Sequence, residues 1–381
     1  MSSKSTAVSA PPSSSYLERL AGVLVDYSTG VRPGDLVCID TGAAAAPLVH
    51  EIWRRVLEAG GHPHLRLDVE GAPELLLREG SEEQLSWISP VRRAEVERAD
   101  VRIAIEADVN TRANSHVAPE RQAQAERARD PVRRIHFARV SSGELRYVVT
   151  LYPTQAAAQD ADMSLSEYED FVYRAGLLDQ DDPVAEWEAL GRTYARLAGW
   201  LGEQREIRVV GEGTDITLGV DGRTWVPCDG RENFPDGEVF TGPVETKVDG
   251  TIRFTYPSGY AGRRVGGVEL EFRSGEVVRA EAEEGASFLR EMLALDEGAR
   301  RAGEFSFGLN EAVSEFTGHT LFDEKIGGTV HLALGASYPE SGGTVQSALH
   351  WDLVCDLRSG SEVYADGELV YRDGRFLDGL L

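Results

Sequence analysis

The chain has 381 residues, 41% of them apolar, and carries a formal net charge of −25. That length is more than one core comfortably organises, so two domains are expected. An acid excess of this size argues against nucleic acid and anionic membranes as partners, and no run of about 18 apolar residues offers a membrane-spanning helix.

The first residues, "MSSKSTAVSAPPSSS", are polar and lack the apolar centre of a secretory signal, which predicts a disordered tail over residues 1–14. Helix and strand signals then alternate. "YLERLAGVLVDYSTG" has the period of an amphipathic helix, "GDLVCID" reads as a buried strand, "APLVHEIWRRVLEAGG" as a helix closed by Gly60 and Gly61, and "HPHLRLDV" as a strand. A helical turn leads into the apolar strand Val101–Ile105; an Arg/Ala/Gln-rich helix near 115–129 and the strand "LRYVVTLYP" follow. This order predicts an α/β N-terminal domain over 15–204, Rossmann-like, with a mostly parallel sheet. The first strand is followed by "DTGAAAAP" and not by a GxGxxG turn, so no nucleotide is expected there.

Residues 164–204 are helical, opened by a Ser164–Glu167 capping box and resumed near Pro183. Beyond about 205 the texture changes to short alternating strands and Gly/Asp turns: "REIRVVGEGTDITLGVDGRTW", "TIRFTYPSG", "GGVELEFRSGEVVRAEAE" and, after a helix over about 286–302, "GGTVHLALG", "SALHWDLVCDL" and "SEVYADGELVYRDGRF". An α+β C-terminal domain over 205–381 with an antiparallel, barrel-like sheet is predicted. Cys38, Cys228 and Cys355 are odd in number and lack metal-ligand spacing, which suits free thiols in a reducing cytoplasm.

In "SALHWDLVCDLRSG", His350 and Asp352 lie two positions apart in a strand, so both side chains project from one face. Three more polar residues stand where apolar ones would be usual: His331 in "GTVHLALG", Glu238 in "NFPDGEVFTGP" and Glu304 in "RAGEFSFGLN". Any one of these is more often a hydrogen-bonded core or turn residue than a ligand. Together they strain that explanation, because unpaired buried carboxylates are costly and a divalent cation satisfies several at once. Two imidazoles with carboxylates and no thiolate suit Zn²⁺, Co²⁺, Mn²⁺ or Fe²⁺. Five ligands exceed one tetrahedral site and favour two metals bridged by a carboxylate. Tyr338 lies in the Gly-rich loop after His331. Glu324 and Lys325, just before it, read as a carboxylate and a cation beside the site or as a salt-bridged turn. His62 and His64 fit an edge-strand surface, and His319 a loop.

The series "NFPDGEVFTGP", "GEFSFGLN", "FDEKIGGTVHLALGASYPESGG" and "SALHWDLVCDLR", in this order, closely resembles the aminopeptidase T-like and aminopeptidase S metallopeptidases of peptidase family M29. The resemblance extends upstream through "TLYPTQAAAQDADMSLSEYEDFVYRAG" and covers most of the chain after the tail. It implies that Glu238, Glu304, His331, His350 and Asp352 are metal ligands, with Glu304 bridging, and that Tyr338 is the catalytic tyrosine. It further implies two divalent metal ions per chain (zinc, cobalt, manganese or magnesium), a homodimer, and cleavage of the N-terminal bond of peptides by a two-metal-activated water, with Glu304 or Glu238 moving the proton. Val345, in "GGTVQS", departs from the asparagine that relatives tend to carry. Dihydroxypyridine ring-cleaving dioxygenases resemble the family distantly. They supply the alternative of one non-haem Fe(II) held by His331, His350 and Asp352. A non-catalytic scaffold would leave this costly polar set without a use.

Overall fold

Parallel pairing of short apolar strands, each followed by a helix, builds the first half of the chain. The computed structural model describes residues 13–260, 262–377 and 379–380. Of the expected tail, residues 1–12 lie outside the described residues, and Ser13 already opens the first helix, Ser13–Gly22. That helix continues through Val23–Ser28 in the wider π form. Strands Leu36–Gly42, His62–Asp68, Val101–Glu106 and Arg146–Leu151 pair in parallel, with the first strand between the second and third. Apolar side chains of one face, among them Val37, Ile39, Val101, Ile103 and Val148, form a core with the helices that carry Leu20, Leu24, Leu48 and Ile52. Each such side chain contributes about 1.5–3 kcal/mol by leaving water. The strand His62–Asp68 is an edge, and His64 pairs there with Glu95 at 3.2 Å.

The Ser164–Glu167 capping box forms in both directions, 2.8 Å and 3.3 Å, at the start of helix Leu165–Ala175. Helix Pro183–Leu201 leads into the antiparallel half. An eight-stranded sheet and a five-stranded sheet there share one core, in which Ile207, Val209, Ile216, Leu218 and Ile252 meet Phe305, Phe307, Leu332, Leu334, Trp351 and Leu353. The sequence pattern predicts one helix over about 286–302, but the helix stops at Leu293 and strand Ala302–Gly308 begins nine residues later. Asp296 is the cause: its carboxylate accepts from Ala299 N at 2.9 Å, Ser347 Oγ at 2.7 Å and Ala348 N at 2.7 Å. It ties this turn to the loop ahead of the His350 strand.

After helix Pro183–Leu201 the chain returns to the first half twice, and both returns bring polar side chains to the five-stranded sheet. Strand Asn233–Phe234 adds to the parallel sheet beside Arg146–Leu151, so the chain leaves that sheet directly into Glu238. The segment after strand Ala302–Gly308 returns Val313, Leu321, Phe322 and Ile326 to the first core, where the Phe322 ring stands 5.2 Å from Phe171. No helix among the described residues is long and apolar enough to cross a membrane.

Candidate metal centre

The five-stranded antiparallel sheet runs in the order His350–Asp356, Thr329–Gly335, Ala302–Gly308, Glu238–Thr241, Val226–Cys228. Opposed residues in such a ladder share a face. The register sets Gly308 against Glu238, Ser306 against His331 and Phe240, Glu304 and Asp352 against Ala333, and His350 against Gly335. One face therefore carries all five expected ligands, separated by small residues. The opposite face presents Phe305, Phe307, Leu332, Leu334, Trp351 and Leu353 to the core. Period-two alternation along each strand explains why polar groups could accumulate in an otherwise apolar sheet.

Two of the donor clusters share Glu304, and a third, Glu324, His331 and Asp352, lies across them. His331 Nε2 lies 3.3 Å from Glu238 Oε2 and 3.3 Å from Glu304 Oε1. His350 Nε2 lies 3.5 Å from Glu304 Oε2 and 3.6 Å from Asp352 Oδ1. Each imidazole donates its other nitrogen to a backbone carbonyl: His331 Nδ1 to Glu324 at 3.1 Å, His350 Nδ1 to Ala336 at 2.9 Å. A carbonyl can only accept, so in both rings Nδ1 carries a proton and Nε2 is the nitrogen turned toward the carboxylates, where a cation would displace any proton it holds. Asp352 Oδ1 is buried without a hydrogen-bond donor, which is costly unless a cation meets it. Donor chemistry and the orphaned oxygen both fit divalent metal ions.

Around this pair sits a second ring of polar groups. Ser306 Oγ donates to Glu238 Oε2 at 2.8 Å. Lys325 is 1% exposed, and its Nζ contacts Glu238 Oε1, Glu324 Oε1 at 2.7 Å and Asp236 Oδ1 at 3.3 Å. The Tyr338 ring stands edge-on to His350 at 5.0 Å and to Phe240 at 5.5 Å. His319 is elsewhere: it precedes helix Thr320–Asp323 and its Nε2 meets Glu106 at 3.0 Å. Val345 is buried, and its carbonyl accepts from Ser337 N at 3.0 Å.

The electrostatics are those of a place short of positive charge. Burial alone would lower the His331 pKa, yet the bond to Glu304 and the charge of Glu238 push it up to about 10. Burial, reinforced by Glu304, raises Asp352, and burial raises Glu324. Asp236 is pushed up to about 7, first by burial. Glu238 alone moves down, because Lys325 and His331 outweigh its burial. Although Tyr338 is 41% exposed, burial of the remainder and the charges of Glu304, Asp352, Glu324 and Glu238 raise its pKa, so it is a phenol at neutral pH.

Sequence reasoning missed Asp236, Ser306 and Cys228. Asp236 and Ser306 each stand two positions from an expected ligand, Glu238 and Glu304, so the spacing that exposed His350 and Asp352 would have found both. Cys228 opposes Glu238 across a strand pair, a relation that spacing along the chain does not carry.

A donor set of carboxylates and imidazoles on one sheet face, with their outer atoms already oriented, is that of a metalloenzyme. The family described as thermophilic metalloprotease (M29) matches residues 13–376, and the chain belongs to this family of metallopeptidases. Aminopeptidase 2 of Geobacillus stearothermophilus is 30% identical over 349 residues, 85% of this chain and 84% of the relative. Aminopeptidase T of Thermus aquaticus is 36% identical over 185 residues, 45% of each chain. In fold, the protein is similar to wild-type AmpT from Thermus thermophilus, with a TM-score of 0.85 over 95% of this chain and 99% of that one, at 23% identity.

Proposed function

We propose that the protein is an aminopeptidase that hydrolyses the N-terminal peptide bond of peptides with two divalent cations held by Glu238, Glu304, His331, His350 and Asp352. The observation that carries this reading is the division of Glu304, one oxygen toward His331 and its neighbour Glu238, the other toward His350 and Asp352. Charge supports the count. A cation on each Nε2 would leave both imidazoles neutral, and Asp236, Glu238, Glu304, Glu324 and Asp352 would then face one ammonium, Lys325. Fully ionised, as bound cations would favour, five carboxylates against one ammonium carry four negative charges, the number two divalent cations would balance. A single Fe(II) in a facial triad has no such support: among the described residues, no group of mutually close donors holds both imidazoles. The relatives from Geobacillus stearothermophilus and Thermus aquaticus are aminopeptidases.

Cations held by these five residues would supply an activated water and polarise the scissile carbonyl. The chain's residues do the rest. Ser306 and Lys325 fix Glu238. The carbonyls of Glu324 and Ala336 fix the two rings. Glu304 accepts the proton of the attacking water and returns it to the leaving amine. The phenol of Tyr338 donates a hydrogen bond to the oxyanion as it forms. Glu324, beside His331 and Asp352, adds negative charge near the substrate's α-amine. The reading extends to a homodimer in the cytoplasm, a compartment suited to the unpaired thiols of Cys38, Cys228 and Cys355.

Metal analysis of the purified chain and assays on amino-acyl p-nitroanilides, free and N-acetylated, test the proposal. Two metals per chain, loss of activity with chelator, and cleavage of the free substrate alone are expected. One iron with oxygen uptake on a dihydroxypyridine would replace it by the dioxygenase.

A further inference from the structure

The ammonium of Lys325 sits in a seat that has the donors of a cation site. Glu238 Oε1, Glu324 Oε1 and Asp236 Oδ1 surround Nζ, and Cys228, Asp236 and Glu238 offer ligand atoms all within 4.8 Å of one another. Three carboxylates and a thiol would suit a thiophilic divalent ion well.

The seat is rigid on both sides. Asn310 N donates to the Lys325 carbonyl at 3.1 Å, and Asn310 Nδ2 donates to the carbonyls of Asp236 at 2.7 Å and Ala175 at 3.0 Å. The Lys325 amide bonds to Phe322 O at 2.9 Å, and Phe322 is packed in the first core. The ammonium is thus delivered by a segment anchored in the first core to its own neighbour Glu324 and to Asp236 and Glu238 at the start of another strand.

We propose that Lys325 is a resident cation that takes the place of a third metal ion and positions Glu238 as a one-oxygen ligand, a role that rests on the reading of Glu238 as a metal ligand. Nζ engages Oε1, so only Oε2, which already accepts from Ser306 and faces His331 at 3.3 Å, remains for a metal. A carboxylate free of Lys325 could chelate through both oxygens or swing toward Cys228. With the ammonium in place, the centre holds two cations and the thiol stays outside their coordination. Lys325 is a positioning residue: it reaches the chemistry through Glu238.

The test is cobalt titration of the full chain, stripped of metal, in the wild type, Lys325→Met and Cys228→Ser/Lys325→Met. The wild type is expected to take up two Co²⁺ with no thiolate-to-cobalt charge-transfer band in the near ultraviolet. Lys325→Met is expected to take up a third Co²⁺, to show that band, and to lose at least about tenfold in kcat with a smaller change in KM. The band should vanish when Cys228 is also replaced. Lys325→Met with two Co²⁺, no band and wild-type kcat overturns the inference, as does a thiolate band in the wild type. If Lys325→Met does not fold, Asp236→Asn/Lys325→Met removes a carboxylate together with the ammonium. The same band is expected from it, and its absence overturns the inference equally. A wild-type chain that binds no cobalt at all removes the metal centre itself, a result distinct from every behaviour of the variants.

Discussion

The carboxylate of Glu304 and the imidazole of His350 meet through Oε2 and Nε2 at 3.5 Å, which leaves Glu304 Oε1 to face the other way. One side chain thereby belongs to both clusters. Glu304→Gln keeps the shape but removes the charge that both cations would share. Turnover is expected to fall on the order of 10³-fold or more, with metal content below two per chain and an unchanged circular dichroism spectrum. Near-normal kcat in this variant would take Glu304 out of the centre.

Tyr338 reaches the site from a Gly-rich loop, and only its hydroxyl differs from a phenylalanine. Tyr338→Phe is expected to lower kcat by roughly 10²–10³-fold while both metals remain bound. Steady-state kinetics beside metal analysis separates the two effects.

Ser306 points its hydroxyl at Glu238 Oε2 from the next strand. Ser306→Ala removes that donor without altering the strand. Apparent metal affinity is expected to weaken by about 10–100-fold, read by competition with a chromophoric chelator. An unchanged affinity would show that Lys325 alone holds Glu238.

Gly335 opposes His350 in the ladder and has φ +104°, and a Cβ there would meet Leu349 O at 2.1 Å. Gly335→Ala is therefore both strained and blocked by backbone. A loss of about 2 kcal/mol or more is expected in denaturant unfolding, together with loss of one bound metal as His350 is displaced. Gly143→Ala is the control: φ is +74°, but nothing lies within 4 Å of the new Cβ, so it should cost less and leave the metals in place.

Stability should also depend on pH through Asp40, remote from the metal centre. Burial pushes its carboxyl up, but Arg102, Arg92 and Arg66 outweigh burial and hold it down at about 2. Because the folded value lies below the unfolded value of about 3.9, the stabilisation is full above that value and is lost as pH falls toward 2. Asp40→Asn should cost about 3 kcal/mol at pH 7, since it leaves three guanidiniums without their shared anion. The gap between wild type and variant should close between about pH 4 and pH 2 in equilibrium unfolding.

Much of this was readable along the chain. The helix–strand alternation through Leu151, the capping box at Ser164 and the period-two strands after residue 205 are short-range signals. The strands formed where their patterns placed them, while the helix expected near 115–129 runs over Pro119–Ser141 and two short helices, Ala72–Glu79 and Glu82–Leu85, were not expected. The His350–Asp352 pair was readable for the same reason, since side chains two apart on a strand share a face whatever the strand pairs with. The helix expected over about 286–302 ended early because the partner of Asp296 lies in the loop at 347–348, which no local pattern announces.

By itself the sequence determined the element types, the apolar face of each strand and the residue chemistry able to bind cations, because periodicity and side-chain identity are local properties. Only the tertiary structure decided that Glu304 is divided between two imidazoles, that Nε2 is the nitrogen turned toward the carboxylates in both rings, and that Lys325 fills an acidic seat beside Glu238. Those relations come from strand register and from a segment anchored in the other half's core. The energies that set them act between residues distant in sequence, and they exist only after the chain has folded.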